Sequence, residues 1–141
     1  SCMAGEGRRV RFAGYAAVFD RLDNGGDVIR PGAFARALEN GGAVPLLWQH
    51  KSAAVIGRIE RIREDRRGLR VICSLAADER GRWAASLLRR RAAEGLSFGY
   101  RVRSAAQREG HRELRELDLV EVSLVTSPMQ PLARVHAVES R

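Results

Sequence analysis

Residues 96–103 read LSFGYRVR, and the alternation in this stretch indicates the fold class. Apolar side chains alternate with small or charged ones: Leu96, Phe98, Tyr100 and Val102 on one side, and Ser97, Gly99, Arg101 and Arg103 on the other. A period of two residues is typical of a half-buried β-strand and not of a helix. The stretch therefore predicts a strand that carries Ser97 on its less apolar face.

Six other segments predict strands on either side of this one: residues 8–19, 44–50, 54–63, 68–76, 111–125 and 133–138. Two of them are joined by a short charged turn that ends in Gly68, which is the pattern of a hairpin. The segment VPLLWQH ends in His50, on the same predicted side as Trp48. Together with LSFGYRVR, these segments make about seven strands.

The sequence also predicts two helices. Pro31 opens the first, and the Asn-Gly-Gly of residues 40–42 ends it. Asp78 caps the second, which should run to about Glu94 with Gly95 just past its end. Because the strands outnumber the helices and do not alternate with them, we expect a mainly β fold with flanking helices (an α+β fold). A mostly antiparallel barrel or sandwich is favoured over a doubly wound sheet.

The length of 141 residues fits a single domain over residues 1–141, with residues 1–9 outside the fold, disordered or left over from cloning. The chain is 45% hydrophobic and 30% charged, which is typical of a globular protein. No apolar run approaches the roughly 20 residues that span a bilayer. The N-terminus has no apolar core of a signal peptide, so we expect a cytoplasmic protein without membrane contact.

The net charge of +8 comes from 25 basic residues, of which only Lys51 is not arginine. A basic surface attracts nucleic acid or an acidic protein partner. The dense cluster at residues 89–91 has no interleaved aromatic residues and no DNA-binding motif, so nucleic acid is not the favoured partner.

Cys2 and Cys73 predict neither a disulfide nor a metal site, and we expect Cys73 to be a small buried hydrophobe. No cofactor is predicted.

Several residues are candidates for nucleophilic catalysis, which needs a hydroxyl or thiol, a base within hydrogen-bond reach and a group that orients the base. His50 lies at the end of an apolar strand, and a histidine there is more often structural. Ser97 lies between two glycines, Gly95 and Gly99, which would leave room for a substrate backbone. Taken alone, a serine on a strand is usually unremarkable in function.

Glu121 interrupts the apolar run LDLVEVSLV and needs a partner if it is buried. The alternative is a glutamate on the surface of an edge strand. Ser123 shares its face and is a weaker rival to Ser97 as nucleophile.

Several motifs in order resemble the prohead protease family of tailed phages related to HK97. They are GYAAVFD, DNGGDVIRPGAF, LLWQH, GLSFGY, ELDLVEVSLVTSP and ARVHAV, which span about Gly14 to Val138. The resemblance implies a fold similar to the herpesvirus assemblin proteases, a β-barrel surrounded by helices. It also implies a serine endopeptidase that cleaves scaffold protein or capsid-protein precursor, and itself, inside the procapsid.

The resemblance further implies the roles of three residues. The family's serine in its LS-x-GY motif falls on Ser97, and its histidine after the strand tryptophan falls on His50. The third member, which is histidine in the herpesvirus enzymes, falls on Glu121, with His111 or Asp118 as alternatives. His50 would take the proton of Ser97, and Glu121 would orient the imidazole.

Two arginines are candidates to contribute to an oxyanion hole or to bind substrate. Arg101 is predicted on the same strand face as Ser97, and Arg134 in the loop after EVSLV. We expect the scaffold or capsid precursor as partner, a possible homodimer by analogy with the herpesvirus enzymes, and action in the procapsid within the bacterial cytoplasm. The alternatives are a non-catalytic capsid-assembly module with the same fold and a basic nucleic-acid-binding barrel.

Overall fold

A mixed β-sheet forms the frame of the protein, and a computed structural model describes it for residues 9–41 and 43–140. The elements in chain order are β1 (Val10–Val18), β2 (Asp27–Ile29), α1 (Ala35–Glu39), β3 (Pro45–Trp48), β4 (Lys51–Glu64), β5 (Gly68–Leu75), α2 (Glu79–Arg89), β6 (Gly95–Arg108), β7 (His111–Val125) and β8 (Val135–Ser140). The predicted mainly β fold with flanking helices is confirmed.

The strands follow the order β2-β7-β3-β4-β5-β1-β8, and β6 pairs with β7. β2 and β3 both run parallel to β7, whereas the other pairs are antiparallel. β6 and the segment before β8 meet at an isolated bridge between Gly95 and Arg134, and no continuous ladder joins β6 to β8 in the described residues. The expected mostly antiparallel barrel is therefore not confirmed, because the sheet is mixed and does not close.

The structure contains one strand that was not predicted, and several element boundaries differ from those predicted. β2 lies in a segment rich in turn-forming residues, and its three residues are all buried, so it has no alternation to reveal it. α2 is capped by Asp78 as expected, since its Oδ1 accepts a hydrogen bond from Gly81 N at 2.8 Å. The helix ends at Arg89, earlier than predicted, because Arg91 takes the left-handed position (φ 55°).

The C-terminal end of α2 is a Schellman motif. Ala92 N donates to Leu87 O at 2.9 Å, and Arg91 N donates to Leu88 O at 3.1 Å. These two bonds satisfy carbonyls that the end of a helix leaves free. Gly95 is therefore not the residue past the helix end but the first residue of β6.

The core is built from side chains of the strands, of α2 and of the segment just before α1, whose own five residues are not buried. Its largest fully buried side chains include Phe12, Phe34, Leu46, Leu96 and Leu124. Three of these belong to β3, β6 and β7, so the strands that carry the candidate site residues are anchored in one packed core.

Cys73 is fully buried, as predicted, and burial raises the pKa of its thiol to about 12. Residues 1–8, which include Cys2, lie outside the described residues, so the expectation of disorder there stays a prediction.

No helix in the described part of the chain is long and apolar enough to cross a membrane. Residues 9–41 and 43–140 contain no group of three or more histidine, cysteine or acidic side chains that could hold a metal ion.

Candidate active site

The register of β6 against β7 brings together two pairs of predicted site residues. Ser97 lies opposite Ser123, and Gly99 lies opposite Glu121. Residues opposite each other in an antiparallel pair share a face of the sheet and have Cβ atoms about 4.5–5.5 Å apart. Ser97 and the acidic residue Glu121 are therefore near neighbours on one face.

The turn between β3 and β4 places His50 over this face. β3 ends at Trp48, so His50 lies in the turn. The sequence had predicted it at the end of the strand. Gln49 and His50 both adopt left-handed backbone angles, with φ of 51° and 61°. Such a conformation costs about 1–2 kcal/mol for each residue that is not glycine, and it persists only where the surroundings hold it.

Hydrogen bonds to β7 and to the segment after it hold this turn. Gln49 N donates to Leu124 O at 3.0 Å, and His50 N donates to Ser123 Oγ at 3.0 Å. The Gln49 side chain accepts from Thr126 N at 3.0 Å and donates to Thr126 Oγ1 at 3.2 Å. The backbone and the side chain of Gln49 are both hydrogen-bonded at the end of β7. The turn therefore gives His50 a defined position.

The imidazole of His50 is held by Glu121. Nδ1 lies 2.8 Å from Oε2 and 3.0 Å from Oε1 of Glu121, which is 6% exposed. A carboxylate can only accept, so Nδ1 carries the proton and donates it, and Nε2 of the neutral ring is left as an acceptor. The hydrogen bond to Glu121 raises the pKa of His50 and outweighs partial burial, which acts in the opposite direction. An imidazole held in this way can accept a proton at Nε2.

Ser123 supports both partners of this pair. Its side chain is fully buried, and Oγ accepts from His50 N while donating to the Glu121 carboxylate at 3.2 Å. A hydroxyl that is occupied in both directions and shielded from solvent is not placed to attack a substrate. The geometry therefore gives Ser123 a supporting role and disfavours it as the rival nucleophile.

Ser97 and His50 line one cavity of about 130 Å³. Leu96, Ser97 and Phe98 all line it, although consecutive strand residues point to opposite faces, so the cavity runs along the edge of β6. Ser97 is 9% exposed, and its hydroxyl makes no hydrogen bond to His50 within the described residues. The predicted nucleophile and base thus share a cavity, with no hydrogen bond between their side chains.

The two glycines beside Ser97 do not leave open space for a substrate, contrary to expectation. A Cβ at Gly99 would lie 2.9 Å from Cγ of Glu121, and one at Gly95 would lie 2.7 Å from Cδ of Pro128. Gly99 thus makes room for the carboxylate that holds His50, and Gly95 makes room for the proline after β7.

The structure places the alternative third members away from His50. Asp118 pairs with Arg103 through oxygens at 2.7 and 2.8 Å from Nε. His111 begins β7 and lies opposite Arg108, twelve residues along the strand from Ser123. At about 3.4 Å per residue, that separation is on the order of 40 Å. Of the three residues considered, only Glu121 contacts His50.

The two candidate arginines do not line the cavity of Ser97. Arg101 lies in a separate groove with Leu38 and Asp118. Arg134 directs its guanidinium to Pro131 O at 2.7 Å and to Glu94 at 3.5 Å. Arg134 lies opposite Gly95, two residues before Ser97. A part for either arginine in an oxyanion hole or in substrate binding stays a prediction.

The sequence reasoning missed the role of Gln49. The sequence predicts one strand over residues 44–50, which places Gln49 in the strand and not in a turn. The available signal was the polar run of residues 49–52 between two apolar patterns, which is typical of a connection between strands. Neither Gln49 nor His50 is glycine or asparagine, which concealed the left-handed turn.

Three solved viral proteases share this fold. The bacteriophage T4 capsid assembly protease has a TM-score of 0.67 at 14% identity, over 84% of this chain and 82% of its own. The varicella-zoster virus protease has a TM-score of 0.61 at 16% identity, over 93% and 64%. The KSHV protease, solved with a hexapeptide phosphonate inhibitor, has a TM-score of 0.66 at 12% identity, over 93% and 65%. The predicted likeness to herpesvirus proteases is confirmed at the level of fold.

A curated relative and a family model give the sequence relationship. The chain is 37% identical over 103 residues to the prohead protease of Enterobacteria phage HK97. That match covers 70% of this chain and 45% of the relative, so the chain spans less than half the length of the curated relative it matches. The sequence model of the caudovirus prohead serine proteases matches residues 2–141. The chain therefore belongs to the caudovirus prohead serine protease family.

Proposed function

We propose that this chain is a serine endopeptidase of capsid maturation, in which Ser97 is the nucleophile, His50 the general base and Glu121 the group that orients His50. The observation that carries the proposal is the contact of His50 Nδ1 with Glu121, next to a cavity shared by His50 and Ser97. This contact leaves Nε2 as the basic atom of a ring whose position is fixed by its turn. Family membership supports the serine type.

The proposed reaction has two stages. In the first, His50 Nε2 takes the proton from Ser97 Oγ, and the oxygen attacks the scissile carbonyl carbon. His50 then gives its proton to the leaving amine, which leaves an acyl-enzyme on Ser97. In the second stage His50 takes a proton from water, the resulting hydroxide cleaves the ester, and the proton returns to Ser97. Throughout, Glu121 stabilises the positive charge that forms on His50.

The absence of a hydrogen bond between the described side chains of Ser97 and His50 is compatible with this role. Hydrogen bonds between catalytic groups are commonly long in a free enzyme and tighten when substrate binds. The cavity between the two side chains lies along β6, whose edge beyond Leu96 pairs with no other strand among the described residues. An extended peptide could pair with that edge through its backbone. This geometry supports a polypeptide as substrate.

We infer the identity of the substrate from the relatives. The T4 relative is a capsid assembly protease, and the HK97 relative is a prohead protease. We therefore propose capsid or scaffold precursor proteins as substrates, inside the assembling procapsid in the cytoplasm of the bacterial host. The predicted self-cleavage and homodimer stay predictions.

The proposal is tested by co-expressing this chain with the capsid and scaffold proteins of its own genome. We expect wild-type protein to trim a precursor, and both Ser97→Ala and His50→Ala to leave it intact. Ser104→Ala is the matched control, because Ser104 lies exposed further along the same strand. Trimming that persists with Ser97→Ala would remove Ser97 as nucleophile. A lack of trimming by the wild type would favour a capsid-assembly module without catalysis.

A further inference from the structure

The outer face of the sheet carries three arginines in adjacent positions on two strands. Arg61 and Arg63 lie on β4, and Arg70 lies on β5 directly opposite Arg63. The side chains of Arg61 and Arg63 are exposed, and all three surround Ile72 in a shallow concavity. We call this surface, formed by Arg61, Arg63 and Arg70, the arginine face.

The arginine face has no close charge partner among the described residues, although Arg63 attracts the Asp65 carboxylate from beyond ion-pair distance. None of its three side chains forms an ion pair within residues 9–41 and 43–140. The carboxylates beside it are already engaged, Glu60 by Arg11 at 2.8 Å and Asp65 by the Tyr15 hydroxyl and two backbone N–H groups. Like charges directly opposite each other destabilise an antiparallel pair. An anion bound from outside would relieve the repulsion between Arg63 and Arg70.

We propose that the arginine face binds an acidic, extended segment of a protein partner. Side chains on one face of a strand repeat every two residues, so Arg61 and Arg63 are about 6.8 Å apart. Acidic side chains at alternate positions of an extended peptide have the same spacing. Each planar guanidinium can bind a carboxylate through two parallel hydrogen bonds. We identify this partner as the precursor substrate, and that identification rests on the proposed function.

The surroundings of the arginine face favour an acidic peptide over nucleic acid. Glu60 and Asp65 flank the β4 arginines in sequence, and a continuous phosphate chain along the strand would have to pass these negative charges. The nearest aromatic ring, that of Tyr15, is covered by Arg67 at 5.2 Å and lies 5.8 Å from His136. It is not free to stack on a base, as single-stranded nucleic acids require. A short peptide can place discrete charges between the flanking carboxylates.

The test measures binding to the whole chain carrying Ser97→Ala, so that cleavage plays no part. The probe is a fluorescein-labelled octapeptide of alternating glutamate and serine, followed by anisotropy at low salt. A ten-nucleotide oligo-dT is the competing probe. The test variant is Arg61→Glu/Arg63→Glu, with Arg61→Gln/Arg63→Gln in case charge reversal disturbs folding. The matched control is Arg80→Glu/Arg82→Glu, two exposed positions in the first turn of α2 with the same change in net charge.

We expect the octapeptide to bind, to bind less tightly as salt rises, and to bind about tenfold more weakly to Arg61→Glu/Arg63→Glu. The control should change its affinity less than about twofold. The proposal is overturned if the peptide does not bind, if test and control variants lose affinity equally, or if oligo-dT binds more tightly and is released by the same substitutions. Because no cleavage is involved, loss of the proposed protease function would leave this result unaffected.

Discussion

Glu121→Gln is the substitution that most sharply separates an orienting role from a structural one. It keeps the shape of the side chain and removes the negative charge that lies 2.8 and 3.0 Å from His50 Nδ1. An amide can present its NH₂ group to Nδ1, which moves the ring proton to Nε2. In that tautomer His50 cannot accept the proton of Ser97.

The expected loss of activity is large because the contact is shielded from water. The side chain of Glu121 is only 8% exposed, so solvent replaces little of the lost interaction. The matching change in a Ser-His-Asp protease lowers kcat by about 10⁴. We expect a fall of about 10³–10⁴ in kcat/KM, which corresponds to about 4–5 kcal/mol in the activation free energy.

The pH dependence should change in a stated direction. A general base must be neutral, so wild-type activity rises as pH increases through the raised pKa of His50. Without the charge of Glu121 the pKa of His50 falls. The midpoint at which the variant's residual activity increases with pH should therefore shift to lower pH. The same contact adds stability below the unfolded-state pKa of about 6.5 and loses it as pH rises through the folded-state pKa.

The assay is the initial rate of precursor cleavage by purified protein between pH 5 and 9, with thermal unfolding at both limits. Glu116→Gln is the control, because this partly exposed residue of β7 makes a long ion pair with Arg36, at 3.7 Å. A Glu121→Gln protein within tenfold of wild-type activity, with the same pH midpoint, would refute an orienting role.

Two other substitutions probe the same arrangement, and a labelling experiment probes the core. Gly99→Ala would place a methyl group 2.9 Å from Cγ of Glu121 and so displace the carboxylate that holds His50. We expect NMR titration to give a lower His50 pKa, and cleavage to be at least about tenfold slower. An unchanged pKa would count against the crowding argument. Ser123→Ala removes a donor to Glu121 and an acceptor for His50 N. We expect urea unfolding to show that the free energy of unfolding falls by about 1–3 kcal/mol. An unchanged free energy of unfolding would mean that the buried hydroxyl does not stabilise the fold. Because burial raises its pKa to about 12, Cys73 should react with a thiol reagent only after unfolding, as mapped by mass spectrometry, and rapid labelling of the folded protein would contradict its burial.

The local pattern of the sequence predicted most strands because it depends on neighbouring residues. Alternation in LSFGYRVR placed Ser97 on the face that pairs with Ser123, and the order of the motifs singled out Glu121. What alternation cannot reveal is pairing between distant segments. The parallel pairing of β3 with β7 is such a case, and it brings the His50 turn next to Glu121.

The remaining errors have local physical causes. The ladder shifts register between Gly99 and Tyr100, which adds twist, and Arg101 lies in a groove away from the Ser97 cavity. Gln49 holds a left-handed turn through bonds to Thr126, a contact between residues far apart in the chain. The purpose of Gly99 became clear only from Glu121 opposite it.

The central claim is that Ser97 is a nucleophile activated by His50, and covalent labelling tests it most directly. A peptidyl phosphonate, the class of inhibitor present in the KSHV protease structure, would be incubated with the whole chain and its site mapped by mass spectrometry. We predict one adduct on Ser97, no adduct with Ser97→Ala and strongly slowed labelling with His50→Ala. An adduct on Ser123 or another residue, or labelling that is equally fast without His50, would contradict the claim.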